Sequence, residues 1–442
     1  MKRTRILRLT MLAVAMLCGG LQATTWYVGG PGSDFDQIQP AIDAAMPGDL
    51  ILVRPIAPYN GFILTKGLTV RSTSARFETE WARIANIPEG STACLGGFDI
   101  RGDSPMSVLG CDGKVTIEDG LVSVYSWWFE TPPPVLEIED CAFVQLTEVE
   151  VQAGTVGDYA YGTPEPALRI ANSTAVLCGV KTKGWTGRME FDWHYKAGPG
   201  GAGVGVQGQS RVLLARVEIV GGKGGKGAPG DWVGNTGEGG DGGPGLLAAS
   251  PKVMTLGCCG DLISGGDGGD GGDDWYTNEG PGGDGGPGSS GWYIDVSGVE
   301  LSGGKGGLGR PNGDDGPPYV GDPIFVDPPY PVLDMEGDIH PGSRFDVTVR
   351  GQPGHLAVLL LSDTPCWLPI HYRPGPPLVA APGGWFIAFP AGTLGPSGEL
   401  TVTLTMLADP VVQGFALTAQ AALLPGDQTF VLSNAATRVV AE

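Results

Sequence analysis

Val220-Gly-Gly-Lys223-Gly-Gly-Lys226-Gly227 closes an apolar, strand-like run, and the phrase returns as Ser264-Gly-Gly-Asp267-Gly-Gly-Asp270-Gly271 and as Ser302-Gly-Gly-Lys305-Gly-Gly-Leu308-Gly309. A second phrase, Gly-Gly-Asp-Gly-Gly-Pro-Gly, occupies 239–245 and 282–288, just ahead of the next apolar run. Recurrence of a whole unit predicts a stacked architecture. A period of three suits extended, polyproline-II-like chain, and two side-chain-free positions in three let such chains approach closely. The phrases make Lys223, Asp267 and Lys305 equivalent, and likewise Lys226 and Asp270. Alternating sign is what neighbouring loops in a stack need. The expectation is an ordered shelf; flexible low-complexity loops are the other reading of the same composition.

Outward from these loops, five runs can be superposed: 135–154, 167–184, 203–222, 246–266 and 292–304. The first three share Leu-x-x-Val-x-[Val/Thr/Ile], as Leu146/Val149/Val151, Leu177/Val180/Thr182 and Leu214/Val217/Ile219. Phe98-Asp-Ile100, Val115-Thr-Ile117 and Val122-Ser-Val124 read as less regular rungs. Alternate residues of a strand point inward, so each rung adds a few aliphatic side chains to one continuous core that no rung could form alone. The register then sets Glu150, Lys181 and Glu218 side by side, and Glu137 beside Arg169. Such cross-strand pairs contribute about 0.2–1 kcal/mol each and take those carboxylates out of the catalytic candidates.

Ile38-Gln-Pro-Ala-Ile-Asp-Ala-Ala-Met-Pro-Gly-Asp-Leu-Ile-Leu-Val53, with Tyr59-Asn60-Gly61 after it, resembles the opening of pectin-lyase-like right-handed parallel β-helix proteins. That resemblance covers 26–71 in recognisable words and the rest in rhythm, and implies a short amphipathic helix plugging the first coil. The family's enzymatic residues do not carry over. Polygalacturonase-like members use an Asp-Asp pair, a His-Gly and an Arg-x-Lys on neighbouring coils. Here Asp273-Asp274 and Asp314-Asp315 fall in glycine-rich loops, and no His-Gly occurs. No cluster matches the calcium-binding carboxylates and arginine base of the pectate-lyase-like members.

The expected fold class is all-β: a right-handed parallel β-helix with glycine-rich inserts, followed by a small antiparallel β-sandwich. Lys2, Arg3, Arg5 and Arg8 before the apolar run Leu9–Leu17 read as a secretory signal cut after Ala23. The β-helix then spans 24–316, a proline-rich linker 317–337 and the sandwich 338–442. In the last part, alternating runs such as Phe345–Val349, Leu356–Leu361 and Leu400–Leu404 are separated by Pro-Gly and Gly-Pro turns. Its wording at Ala391–Ser397 and Leu432–Ala435 looks like the sandwich modules appended to exported bacterial proteins.

Losing the four leader cations takes the formal charge from −21 to −25. So acidic a chain repels phosphates, which argues against nucleic acid and anionic membrane as partners and makes a polyanionic substrate uncomfortable. No apolar segment after the leader is long enough to span a bilayer. Seven cysteines remain after cleavage, with no Cys-x-x-Cys; they are expected mainly as buried thiols rather than a disulfide framework.

Arg188-Met-Glu190-Phe-Asp192-Trp-His194-Tyr-Lys196 alternates charged and apolar residues. Arg188, Glu190, Asp192 and His194 on one face could supply acid, base and cation for cleaving a sugar polymer; a protruding hairpin with a solvated face is the bland reading. Trp185, Trp193, Trp232 and Trp275 lie in the loops and could stack sugar rings, or anchor glycine-rich chain. Gly265-Gly-Asp267-Gly-Gly-Asp270 begins like a calcium-binding glycine repeat, but Gly272 stands where an apolar residue belongs. Asp241 and Asp284, with Asp270 nearby, offer hard oxygen donors for calcium. Two functions remain: an exported non-catalytic scaffold or adhesion protein binding extracellular polysaccharide or a cell-surface glycan on its loop side, and a polysaccharide lyase or glycoside hydrolase.

Overall fold

A computed structural model describes residues 23–442 except 57, 126–130, 157–162, 190–195, 231–235, 249–251, 256–261, 274–278, 296–298, 325–330, 337–338, 363–364, 369–377, 381–385, 409–411, 413–415, 426–429 and 441–442. The described residues are all-β apart from one short α-helix. A parallel β-helix leads into an antiparallel sandwich. No helix among the described residues is long and apolar enough to cross a membrane.

Each regular turn of the β-helix carries up to three strand segments. One column of strands runs through Leu136–Glu139, Leu168–Ala171, Val204–Gln207 and Leu246–Ala248, each paired in parallel with the next. A second runs through Phe143–Ala153, Thr174–Cys178 and Arg211–Ala215. The third joins the later half of Phe143–Ala153 to Lys181–Lys183, Glu218–Val220, Leu262–Ser264 and Glu300–Ser302. Inward residues such as Leu146, Leu177 and Leu214 are buried in one core that runs from Val28 to Ile294.

Two columns of left-handed residues turn the corners. Asn86, Gly110, Asp140, Asn172 and Gly208 follow the first column of strands, and Gly97, Asp119, Glu148, Gly179 and Arg216 follow the second; all have positive φ. Glycine reaches this region without strain, and Asn and Asp tolerate it better than other residues because their short side chains bond locally. Asn172 does so: its Nδ2 donates to Asp140 Oδ1 at 3.1 Å and its Oδ1 accepts the Gln209 N–H at 3.2 Å.

The charge ladders read from the sequence are present. Glu150 aligns with Lys181 and Lys181 with Glu218, whose carboxylate lies 3.1 Å from the lysine. Arg169 aligns with Glu137 and pairs with both Glu137 and Glu139.

The helix Ile38–Ala44 closes the N-terminal end by burying Ile38, Ala41 and Ile42 in the core. Its C-terminal carbonyls are capped by Lys66 Nζ, which donates to the carbonyls of Ile42, Asp43 and Ala45; a cation here also complements the helix dipole. Asp49 ties the same end together, accepting the N–H of Thr24, the indole N–H of Trp26 and the N–H of Met46. Burial pushes its pKa up, but those hydrogen bonds and Lys66 outweigh it, so the carboxyl sits below its ordinary value. A depressed carboxylate stabilises the fold above its unfolded pKa of about 3.9 and loses that contribution as pH falls through the folded value. Asp49→Asn should therefore lower the thermal midpoint at pH 7 and narrow its gap from wild type on titration towards pH 3.

Tyr319–Ile324 pairs with Ser289–Asp295 as a last rung, and Val332–Glu336 pairs with Arg344–Arg350 as the first strand of the sandwich. The stretch expected to be a linker thus gives a strand to each part. Proline-rich composition hid both, since the prolines flank or edge the strands (Pro323 lies in an edge strand, where a missing N–H costs little). The sandwich places Val332–Glu336, Arg344–Arg350 and Glu399–Thr405 in one sheet, and Phe386–Thr393, Leu356–Ser362, Ala416–Leu424 and Val431–Val439 in the other. Between them lies a separate apolar core that includes Leu333, Val347, Leu359 and Ala419. Arg216 links it to the β-helix, pairing with Glu148 across a corner and with Asp334 on the first sandwich strand.

Candidate functional site

The glycine-rich connections all leave the third column of strands and return to the first, and they form an ordered two-layer bundle. Outgoing segments begin at Gly184, Gly221, Gly265 and Gly303, and each segment but the last bonds to the one that follows it. Gly221, Gly224 and Gly227 donate to the carbonyls of Ser264, Asp267 and Asp270; Gly265, Gly268 and Gly271 donate to those of Ser302, Lys305 and Leu308. Returning segments do the same, with Gly239, Gly242 and Gly245 donating to Pro281, Asp284 and Pro287, and Gly282, Gly285 and Gly288 to Pro311, Asp314 and Pro317. The remaining glycines bond between layers: Gly222 to Gly201, Gly243 to Gly222, Gly266 to Gly243, Gly286 to Gly266 and Gly304 to Gly286.

The sequence period follows from this geometry. In each triplet one glycine N–H serves the neighbour in its own layer and the other serves the opposite layer. The third residue, x, is left to project outward. Cβ atoms at the two glycine positions would strike backbone. At Gly222 one would lie 1.8 Å from the Trp185 carbonyl oxygen, and at Gly269 1.8 Å from that of Gly225.

The x position has its own rule. In four places an aspartate of the preceding segment accepts its N–H. Asp267 Oδ1 accepts Lys305 N–H at 2.8 Å and Asp270 Oδ1 accepts Leu308 N–H at 3.0 Å. In the returning layer Asp241 Oδ1 accepts Asp284 N–H, and Asp284 Oδ1 accepts Asp314 N–H, both at 2.9 Å. Five other x positions hold proline (Pro244, Pro281, Pro287, Pro311, Pro317), which has no N–H to satisfy. Because aspartates lean forward to the next segment, lysines reach them one triplet along: Lys223 meets Asp270 at 3.8 Å and Lys226 meets Asp273 at 3.0 Å. In the returning layer Lys196 pairs with Glu238 and Asp241 at 3.0 and 2.8 Å.

Side chains also finish the last outgoing segment. Gly306 and Gly309 hold the position that elsewhere donates to a following segment; here Asp315 Oδ1 accepts the first at 2.9 Å and Asn312 Oδ1 the second at 3.0 Å. Replacing Asp284 with Ala should speed amide exchange at Asp314 and cost about 1 kcal/mol, whereas Asp284→Asn, which keeps the acceptor, should restore protection.

The sequence-predicted site residues separate accordingly. Asp241 and Asp284 share the returning layer, but their oxygens are engaged with backbone and Lys196, and Asp270 belongs to the outgoing layer. No group of three potential ligands that could hold a metal ion occurs among the described residues. Trp185 is fully buried with its indole N–H donating to the Pro133 carbonyl at 3.0 Å, so it anchors the base of the shelf and presents no face to a sugar. Trp193, Trp232 and Trp275 lie outside the described residues, as do Glu190, Asp192 and His194. Arg188 is half-buried where the first outgoing segment ends, its carbonyl accepting the Gly198 N–H.

What the shelf presents is two unlike faces. The outgoing face interleaves lysine with aspartate. The returning face carries a row of Asp241, Asp284 and Asp314 between Pro281 and Pro311 on one side and Pro244, Pro287 and Pro317 on the other, all half-buried or exposed. Asp241 and Asp284 were legible as a pair in the sequence but the row was not; the proline–aspartate alternation at every third position was the available signal. Comparison with protein-family models, curated proteins and solved structures returned no match.

Proposed function

We propose that this chain is an exported, non-catalytic scaffold of the pectin-lyase-like β-helix type that binds a neutral extracellular polysaccharide or cell-surface glycan on the returning face of its shelf. The observation that carries this reading is the aspartate row. Backbone pairing fixes its spacing: Asp241 Oδ1 accepts the Asp284 N–H and Asp284 Oδ1 the Asp314 N–H. Lys196 also engages both oxygens of Asp241, but a carboxylate has about four lone-pair sites and so keeps acceptor capacity for a hydroxyl donor. The proline rows beside it are flat and apolar, suited to the C–H faces of pyranose rings. A surface pre-ordered by hydrogen bonds loses little conformational entropy when a repeating polymer lies along it. The acidic row and the net charge of −21 favour a neutral partner over a polyuronate.

Native electrophoresis through gels containing neutral or acidic polysaccharide tests this, with calcium or chelator added. Retardation by a neutral polymer, unchanged by chelator and without release of reducing ends, is expected. Release of new reducing ends or unsaturated products would establish the lyase or hydrolase reading; mobility unaffected by every polymer would remove the binding reading.

A further inference from the structure

A polar column lies inside the corner that follows the first column of strands. Cys111, Cys141, Ser173 and Ser210 occupy equivalent places on successive turns: Ala142 N–H donates to the Cys111 carbonyl, Thr174 to Cys141 and Arg211 to Ser173. In the lower half, Ser173 Oγ accepts the Cys141 N–H at 2.9 Å and Ser210 Oγ accepts the Ser173 N–H at 3.3 Å. In the upper half two free thiols face each other, both buried. Cys141 Sγ reaches up to the Val108 carbonyl of the turn that carries Cys111, at 3.4 Å, and the two side chains are within hydrogen-bonding reach.

We infer that Cys111 and Cys141 form a redox-dependent staple, a disulfide that locks two adjacent turns of the β-helix. Neighbouring strands lie about 4.7–4.9 Å apart, inside the range of about 4.4–6.8 Å that Cα atoms of a disulfide span. The pair needs no rearrangement of the turns. Cys94 and Cys178 lie elsewhere on the rungs: Cys94 pairs in register with Thr69 and Thr116, and Cys178 with Thr147 and Ala215. Burial pushes the Cys94 thiol up to about 12, which makes it a poor nucleophile. Cys111 differs, because contact with the Cys141 thiol lowers its pKa and so favours its thiolate.

The oxidant is a small disulfide such as oxidised glutathione. The Cys111 thiolate attacks one sulfur of the reagent, forming a mixed disulfide and releasing one thiolate. Cys141 loses its proton and attacks the Cys111 sulfur, and the second reagent thiolate leaves. Two protein thiols are oxidised, one reagent disulfide is reduced, and the two protons end on the released thiols. Because both thiols are buried in the folded chain, the exchange belongs to refolding, before the two turns close over them.

The staple is independent of any glycan, and its test uses the whole chain. Protein refolded in a reduced/oxidised glutathione buffer is alkylated, digested without reduction and mapped by mass spectrometry. A peptide pair linked through Cys111 and Cys141 is expected, with a thermal midpoint raised by about 4–8 °C, the shift of about 2–4 °C per kcal/mol applied to a stabilisation of about 2 kcal/mol. Cys111→Ser and Cys141→Ser extend the serine column already present, so both variants should fold and show no response to the oxidant. Recovery of both cysteines as separately alkylated thiols after oxidative refolding, or pairing of either with another cysteine, would overturn the inference. An oxidised midpoint in the wild type no higher than that of Cys111→Ser would do the same.

Discussion

Gly222→Ala and Gly269→Ala should each destabilise the shelf by about 3 kcal/mol or more, at the upper end of what overpacking a tight interior costs. At each site a methyl would come within 1.8 Å of a backbone carbonyl oxygen, of Trp185 in one case and Gly225 in the other. A flexible side chain could swing away, but a carbonyl already holding a neighbour in place cannot. Moving it would break hydrogen bonds on both sides, so the damage should spread to adjacent segments. Lys226→Ala, on the outer face of the segment that holds Gly222, removes only an exposed ion pair and should stay within about 0.5 kcal/mol of wild type. Thermal unfolding followed by circular dichroism, with exchange rates at Gly224 and Gly242, reads both the size and the spread. Equal, small effects of glycine and lysine substitutions would mean that the segments are loosely packed.

Arg216→Ala should have the next largest effect. Arg216 stands in the left-handed region, with φ at 55°, and its guanidinium serves Glu148 on the β-helix and Asp334 on the sandwich. Burial alone would lower its pKa, but the nearby Cys178, Asp334 and Glu148 outweigh that and hold it above the ordinary value. Removing the cation leaves two carboxylates without it, one of them on a buried aspartate. Breaking one side of a buried pair costs about 3–5 kcal/mol; with about a fifth of the side chain exposed, about 2–3 kcal/mol is expected here. A double-mutant cycle with Asp334→Ala should return a coupling of about 1–2 kcal/mol. It should also separate unfolding of the sandwich from that of the β-helix. Strict additivity would show that the bridge does not join the two parts.

These two sites also mark where the sequence could and could not be read. The rungs were legible because burial imposes a period of two: Leu146, Leu177 and Leu214 recur at equivalent places, and a one-residue slip would have turned Glu150, Lys181 and Glu218 into the core. The glycine segments were legible as a stack, since a side chain every third residue fits only packed chains of that pitch. The corner columns were missed, although Asn86, Asp140 and Asn172 beside Gly110 and Gly208 carry the signature of left-handed backbone; Arg216 in the companion column does not. Trp185 could not be placed, because an aromatic residue in a loop looks the same whether it faces solvent or plugs a base. The aspartates were read as free donors, because nothing local shows that Asp241 and Asp284 accept amides thirty or more residues away or that Asp270 lies in the other layer.

The most direct test of the two-layer shelf is hydrogen–deuterium exchange resolved to single residues across 220–316. The account predicts strong protection at Gly222, Gly225, Gly243, Gly266, Gly269 and Gly286, whose amides bond across the layers, and fast exchange at Lys223 and Lys226, for which no backbone acceptor occurs among the described residues. Uniformly fast exchange along these segments, at the rate of unstructured glycine-rich chain, would contradict it.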